Sequence, residues 1–165
     1  MPGFLTTRLL ITGLLGLALL GCGFKLAGTT SLPPELSRVY LLTSDFSERQ
    51  REALSRRLGE AGAQVSSQPA AQAVQLRVSL QALPDRRLVT SASNGKIVER
   101  LTRSLDFSLQ GADGNPLTPA KTLTQQKDTV LDDDNLLSSA VERSSVIEDL
   151  EAALFNQLIF QLKRI

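Results

Sequence analysis

The chain has no histidine and no tryptophan, one cysteine, one methionine and one tyrosine, and aromatic residues fill only 4% of its 165 positions. Without histidine there is no Ser-His-Asp or Cys-His nucleophilic machinery, and no zinc site built on imidazole. Carboxylate pairs or a Ser-Lys dyad stay open in principle. No G-x-S-x-G, P-loop or G-x-G-x-x-G pattern occurs, so the chain does not read as an enzyme, and no cofactor or metal is expected. Excess charge of one sign is missing too: 18 basic residues stand against 17 acidic ones. A basic footprint for nucleic acid is therefore absent. No apolar run approaches the roughly 20 residues of a membrane-spanning helix.

The longest apolar stretch, Leu9 to Leu20, follows the single charge Arg8 and ends at Gly21-Cys22. Its length suits the h-region of a secretory leader, and no Ala-x-Ala site competes with the Gly-Cys junction. Leu19-Leu20-Gly21-Cys22 resembles the lipobox of bacterial lipoproteins, in which the leader is cut before the cysteine and the cysteine is acylated. The expected organisation is a signal peptide over 1–21, a lipidated tether over 22–36 and a single domain over 37–165. Removing 21 of 165 residues leaves 144, enough for one domain, with 17 charges of each sign. One acyl chain binds a membrane only marginally, whereas several hold it durably. Gly23, in place of Asp, favours the outer membrane by the same resemblance, with the domain on the periplasmic side.

Arg38-Val39-Tyr40-Leu41-Leu42 reads as a strand, and Asp45 with Glu48 as a capping box opening a helix that Gly62 closes. Gln64 to Ser66 is a brief strand. Val74, Leu76, Val78, Leu80 and Ala82 alternate with polar residues, as do Ile97, Leu101, Leu105, Phe107 and Leu109. Asn94-Gly95 between them predicts a tight hairpin in which opposed residues sum to 189, so that Leu80 meets Leu109. That register sets Arg86 against Arg103 on the core side. Either a bulge near Pro84 shifts it, or the distal hairpin projects past the helices into solvent; the second account is favoured. A strand from about Leu117 to Val130, with an edge or bulge at Pro119, precedes a helix from about 135 to 163. Its stripe would be Leu136, Ala140, Ile147, Leu150, Leu154, Leu158 and Leu162. The Asp132 to Asp134 run caps that helix and lacks the spacing of a calcium loop.

Between Pro84 and Ser104, five basic residues face two acidic ones. A solvated hairpin guarded by arginines explains this plainly. An anion site explains it too, since guanidinium groups pair bidentately with phosphates. On that reading Arg86, Arg87, Lys96 and Arg100 are the candidate ligands.

Taken together, Gly21-Cys22-Gly23-Phe24-Lys25-Leu26, the Pro-containing tether, Val39-Tyr40-Leu41-Leu42, the long Asn-Gly hairpin and the helix ending at Leu162-Lys163-Arg164 resemble the LPS-assembly lipoprotein LptE family. The resemblance implies an α+β domain: two helices on a four-stranded, mainly antiparallel sheet with a long protruding hairpin. It also implies association with the outer-membrane β-barrel LptD and binding of lipopolysaccharide. Family members can carry a basic residue before the Asn-Gly and another before the last helix. Here Ser93 and the acidic run occupy those places, so no ligand residue carries over directly. Two alternatives belong to other classes. One is a lipid-anchored module of another envelope machine, such as peptidoglycan synthesis. The other is a glycan hydrolase, for which Glu99 and Asp106 lie on opposite strand faces by parity.

Overall fold

The computed structural model describes residues 31–91, 96–132 and 135–165. Cys22 and the Asn94-Gly95 turn lie outside them. The chain enters at Leu32, whose N–H donates to the Ala61 carbonyl at 2.9 Å, and passes through a short 3-10 helix, Pro34–Leu36. Leu32 and Leu36 are buried, so the packed domain starts within the expected tether.

Strand β1 (Arg38–Ser44) leads to helix α1 (Glu48–Glu60). The cap is Ser47 rather than Asp45. Ser47 Oγ accepts from Gln50 N at 3.3 Å, and Gln50 Oε1 accepts from Ser47 N at 2.7 Å. Asp45 cannot serve because it turns the chain with φ 62°, and its carboxylate accepts from Ser79 Oγ at 3.2 Å instead. Leu54 and Leu58 are fully buried, and Gly62, at φ 99°, ends the helix where the sequence placed the stop.

The sheet has six strands rather than four: β1, β2 (Gln64–Ser66), β3 (Val74–Ala82), β4 (Arg86–Ser91), β5 (Lys96–Gln110) and β6 (Pro116–Asp132). β1 pairs in parallel with β2 and β3, and the remaining pairs are antiparallel. β5 is the spine. It pairs with β6 along one edge, while the other edge takes β3 along residues 103–110 and β4 along 96–100. The entry end is thus five strands wide and the far end is a three-stranded arm.

The register differs from the sequence expectation. Leu80 meets Leu105, not Leu109, so opposed residues of β3 and β5 sum to 185. After Leu83, whose N–H still donates to the Thr102 carbonyl at 3.3 Å, Pro84 and Asp85 leave the ladder, and a second irregularity falls between Arg87 and Val89. The bulge near Pro84 is therefore the account that holds: a proline lacks the N–H a ladder needs and breaks the strand there. The shift of four on β3 is even, so its apolar face still coincides with that of β5. β6 is an edge strand bulged around Pro119, as expected.

Helix α2 (Leu136–Leu162) is capped by Asn135, whose Oδ1 accepts from Ser138 N at 3.1 Å. Leu150, Leu154, Leu158 and Leu162 are buried as its stripe requires, with Phe155 and Val146 added. Leu136 and Ala140 are exposed instead, because the first turns run beside the narrow arm where little covers them. The main core joins Leu36, Val39, Leu54, Leu58, Leu76, Leu105, Leu154 and Leu158. A separate cluster of Leu101, Val146 and Leu150 lies between α2 and the arm.

Candidate functional site

The four basic candidates all lie on the arm, but not on one face. Residues opposed across a ladder share a face, and neighbours along a strand alternate. Arg86 pairs in register with Arg100, and Lys96 lies four residues from Arg100 along β5, so these three share the face turned away from the helices. Arg87 is opposite Glu99, on the helix side. Arg86, Arg87 and Lys96 are exposed.

Arg100 is already engaged. Its Nε and Nη2 donate to Asp128 Oδ1 and Oδ2 of β6 at 2.6 and 2.8 Å. Through these hydrogen bonds Asp128 raises the arginine's pKa further, and the guanidinium holds the Asp128 carboxyl below its ordinary range. Both are well exposed, so the pair fixes geometry more than it stabilises. The arrangement offers a doubly held guanidinium, with Arg86 beside it and Lys96 further along the same face. Such a row can receive an anion at its open side, with Asp128 orienting Arg100.

Of the two arginines expected to oppose each other on the core side, Arg86 lies on the other face, opposite Arg100, because the register shifts past Pro84, and Arg103 is met by partners the sequence did not indicate. Arg103 is 8% exposed and lies 3.5 Å from Asp85, which also pairs with Arg143 of α2. Arg143 reaches Glu99 at 3.2 Å. Glu99 and Asp106 face opposite sides of the sheet: Asp106 accepts from Gln81 at 3.1 Å and from Thr122. No cluster of acidic or thiol groups suited to a metal is found among the described residues. No helix among them is long and apolar enough to cross a membrane.

A groove of about 470 Å³ runs between α1 and α2, with Arg49, Arg56 and Arg57 on one wall and Glu148 and Glu151 on the other. Arg49 pairs with Glu148 at 2.9 Å, and Arg57 bonds Asn156. The arginines of α1 are thus partly drawn to the second helix, a preference that charge periodicity on α1 alone does not reveal.

No family model matches the chain, and no curated protein matches its sequence. Solved structures do match its fold. Lipoprotein B of Nitrosomonas europaea is 21% identical, with 86% of this chain and 90% of the other covered at a TM-score of 0.67. A minor lipoprotein of Acinetobacter baumannii is 22% identical, with 78% and 92% covered at 0.59. Rare lipoprotein B of Shewanella oneidensis is 15% identical, with 75% and 91% covered at 0.59. The chain therefore has the α+β fold of these bacterial lipoproteins.

Proposed function

We propose that this protein is an outer-membrane lipoprotein, anchored through Cys22 on the periplasmic side, that partners the LptD barrel in assembling lipopolysaccharide into the outer leaflet. The observation that carries this reading is a coincidence of two independent features. The leader ends in a lipobox-like Leu-Leu-Gly-Cys, and the remainder has a fold shared with bacterial lipoproteins over most of its length. A near-neutral chain without histidine supports a binding and assembly role rather than chemistry. In this reading Arg86, Lys96 and Arg100 meet phosphates of lipopolysaccharide on the helix-free face of the arm.

Affinity purification of the tagged chain from detergent-solubilised outer membranes tests it. A barrel of the LptD type recovered in stoichiometric amount is the expected result. Recovery of a peptidoglycan-synthesis machine instead, or of the lipoprotein alone, would reject it.

A further inference from the structure

The four charges beneath the first half of α2 tie together segments far apart in the chain, and the proposed function leaves them unused. Arg143 Nε donates to Glu99 Oε2 at 3.2 Å, and its Nη2 donates to Asp85 Oδ2. Beneath them Arg103 Nη1 lies 3.5 Å from Asp85 Oδ1 and donates to the Thr102 carbonyl at 2.8 Å. Asp85 belongs to the break between β3 and β4, whereas Glu99 and Arg103 are on β5. One helical arginine thus clamps the break and the spine strand at once. The formal charges cancel, and the Asp85 and Glu99 side chains are only 16% and 18% exposed while Arg143 is 41% exposed.

The apolar support beneath α2 is divided in the same place. Leu154, Phe155, Leu158 and Leu162 belong to the main core, whereas Val146 and Leu150 join only Leu101. Before Val146 no residue of α2 is buried, and Leu136, Leu137 and Val141 are exposed. The first ten helical residues are held by Arg143 and by Ser139, whose Oγ accepts from Asp132 N at 2.7 Å and donates to Asp132 O at 2.8 Å. The next turn adds only the solvent-exposed ion pairs Glu148–Arg49 and Asp149–Lys127, which contribute little. A segment with little buried apolar area and few tertiary bonds opens at lower free energy than the core.

We propose that the first half of α2, from Leu136 to about Asp149, is a flap that opens from the arm independently of the second half, with Arg143 as its latch. Opening uncovers Leu101, Val146 and Leu150, converting a charged seam into an apolar one. Because Arg143 is partly open to solvent, salt screens the latch and favours the open form.

Hydrogen exchange followed by mass spectrometry on the full chain in detergent tests the flap. Arg143→Met keeps the side-chain stem and removes its charge. Exchange of amides 136–147 is expected to speed up by about tenfold or more, as a charged hydrogen bond's loss allows, with 152–162 and β3 unchanged. Raising the salt concentration on the unaltered chain should move the same amides. The double variant Asp85→Asn with Arg143→Met leaves Glu99 and Arg103 in balance and should remain fast. Its return to the original rate would show that a stranded carboxylate, not a lost latch, caused the single variant's effect. Uniform acceleration along the helix, no change in 136–147, or an equal effect from Arg51→Met, whose partner Glu48 is on α1, would each overturn the proposal.

Discussion

Arg103 sits on the helix-facing side of β5 between Leu101 and Leu105, where an unpartnered guanidinium would be costly. Strand parity alone placed Arg103 on that side, so its anomaly was readable from the sequence. Its resolution was not, because the Arg143 that shares Asp85 with it lies 58 residues from Asp85 and arrives by helix packing. Parity carries the candidate site in a similar way. It separates Arg87 from Arg86 once the ladder is known, while composition alone groups them. Binding of lipopolysaccharide micelles to the full chain should therefore respond to face. Replacing Arg86 and Lys96 together by Ser is expected to weaken it about tenfold or more, the scale of lost charge-assisted bonds, and Arg87→Ser about twofold or less. Titrations that rank Arg87 equal to the pair would remove the helix-free face from consideration.

At the scale of elements, the boundaries that follow from local chemistry were legible. β2 and β3 fall where alternation put them, and α2 begins after Asn135 and ends at Leu162 within a residue or two of expectation. The cap of α1 was misplaced by two residues because Asp45 and Ser47 are both good capping types, and only the backbone angle at Asp45 decides between them. The consequence is measurable. Ser47→Ala should cost about 1 kcal/mol in urea unfolding, since the Gln50 N–H loses its hydroxyl acceptor. Asp45→Ala should leave the helix cap intact, and a loss as large as that of Ser47→Ala would move the cap back to Asp45. The hairpin register was the element-scale failure. The Asn-Gly rule assumes an unbroken ladder, and Pro84 breaks it between β3 and β4.

For the whole molecule, the division into two apolar clusters sets how stability is distributed. Leu101 and Leu105 are both fully buried on one face of β5, four residues apart, yet they belong to different clusters. Leu105→Ala should cost about 3–5 kcal/mol, because it opens a cavity among residues fixed on all sides. Leu101→Ala should cost nearer 2 kcal/mol, since the thin layer over it can collapse into the space. Equal losses in urea unfolding would mean the two clusters behave as one core. The α+β class was evident from the sequence because alternation and helical periodicity are local. The six-strand count was not, since it depends on where β3 ends and β4 starts.

β5 also sets a length. Its 15 residues run from the entry end, where Gln110 meets β3 and β6, to Lys96 at the arm. At about 3.3 Å per residue that is roughly 46 Å, half as long again as the hydrocarbon thickness of a bilayer, about 30 Å. Standing on its entry end, the domain would raise the face bearing Arg86, Lys96 and Arg100 well beyond the headgroups of the leaflet beneath it. An anion received there would stand at that height, with the length of the spine strand alone supplying the distance.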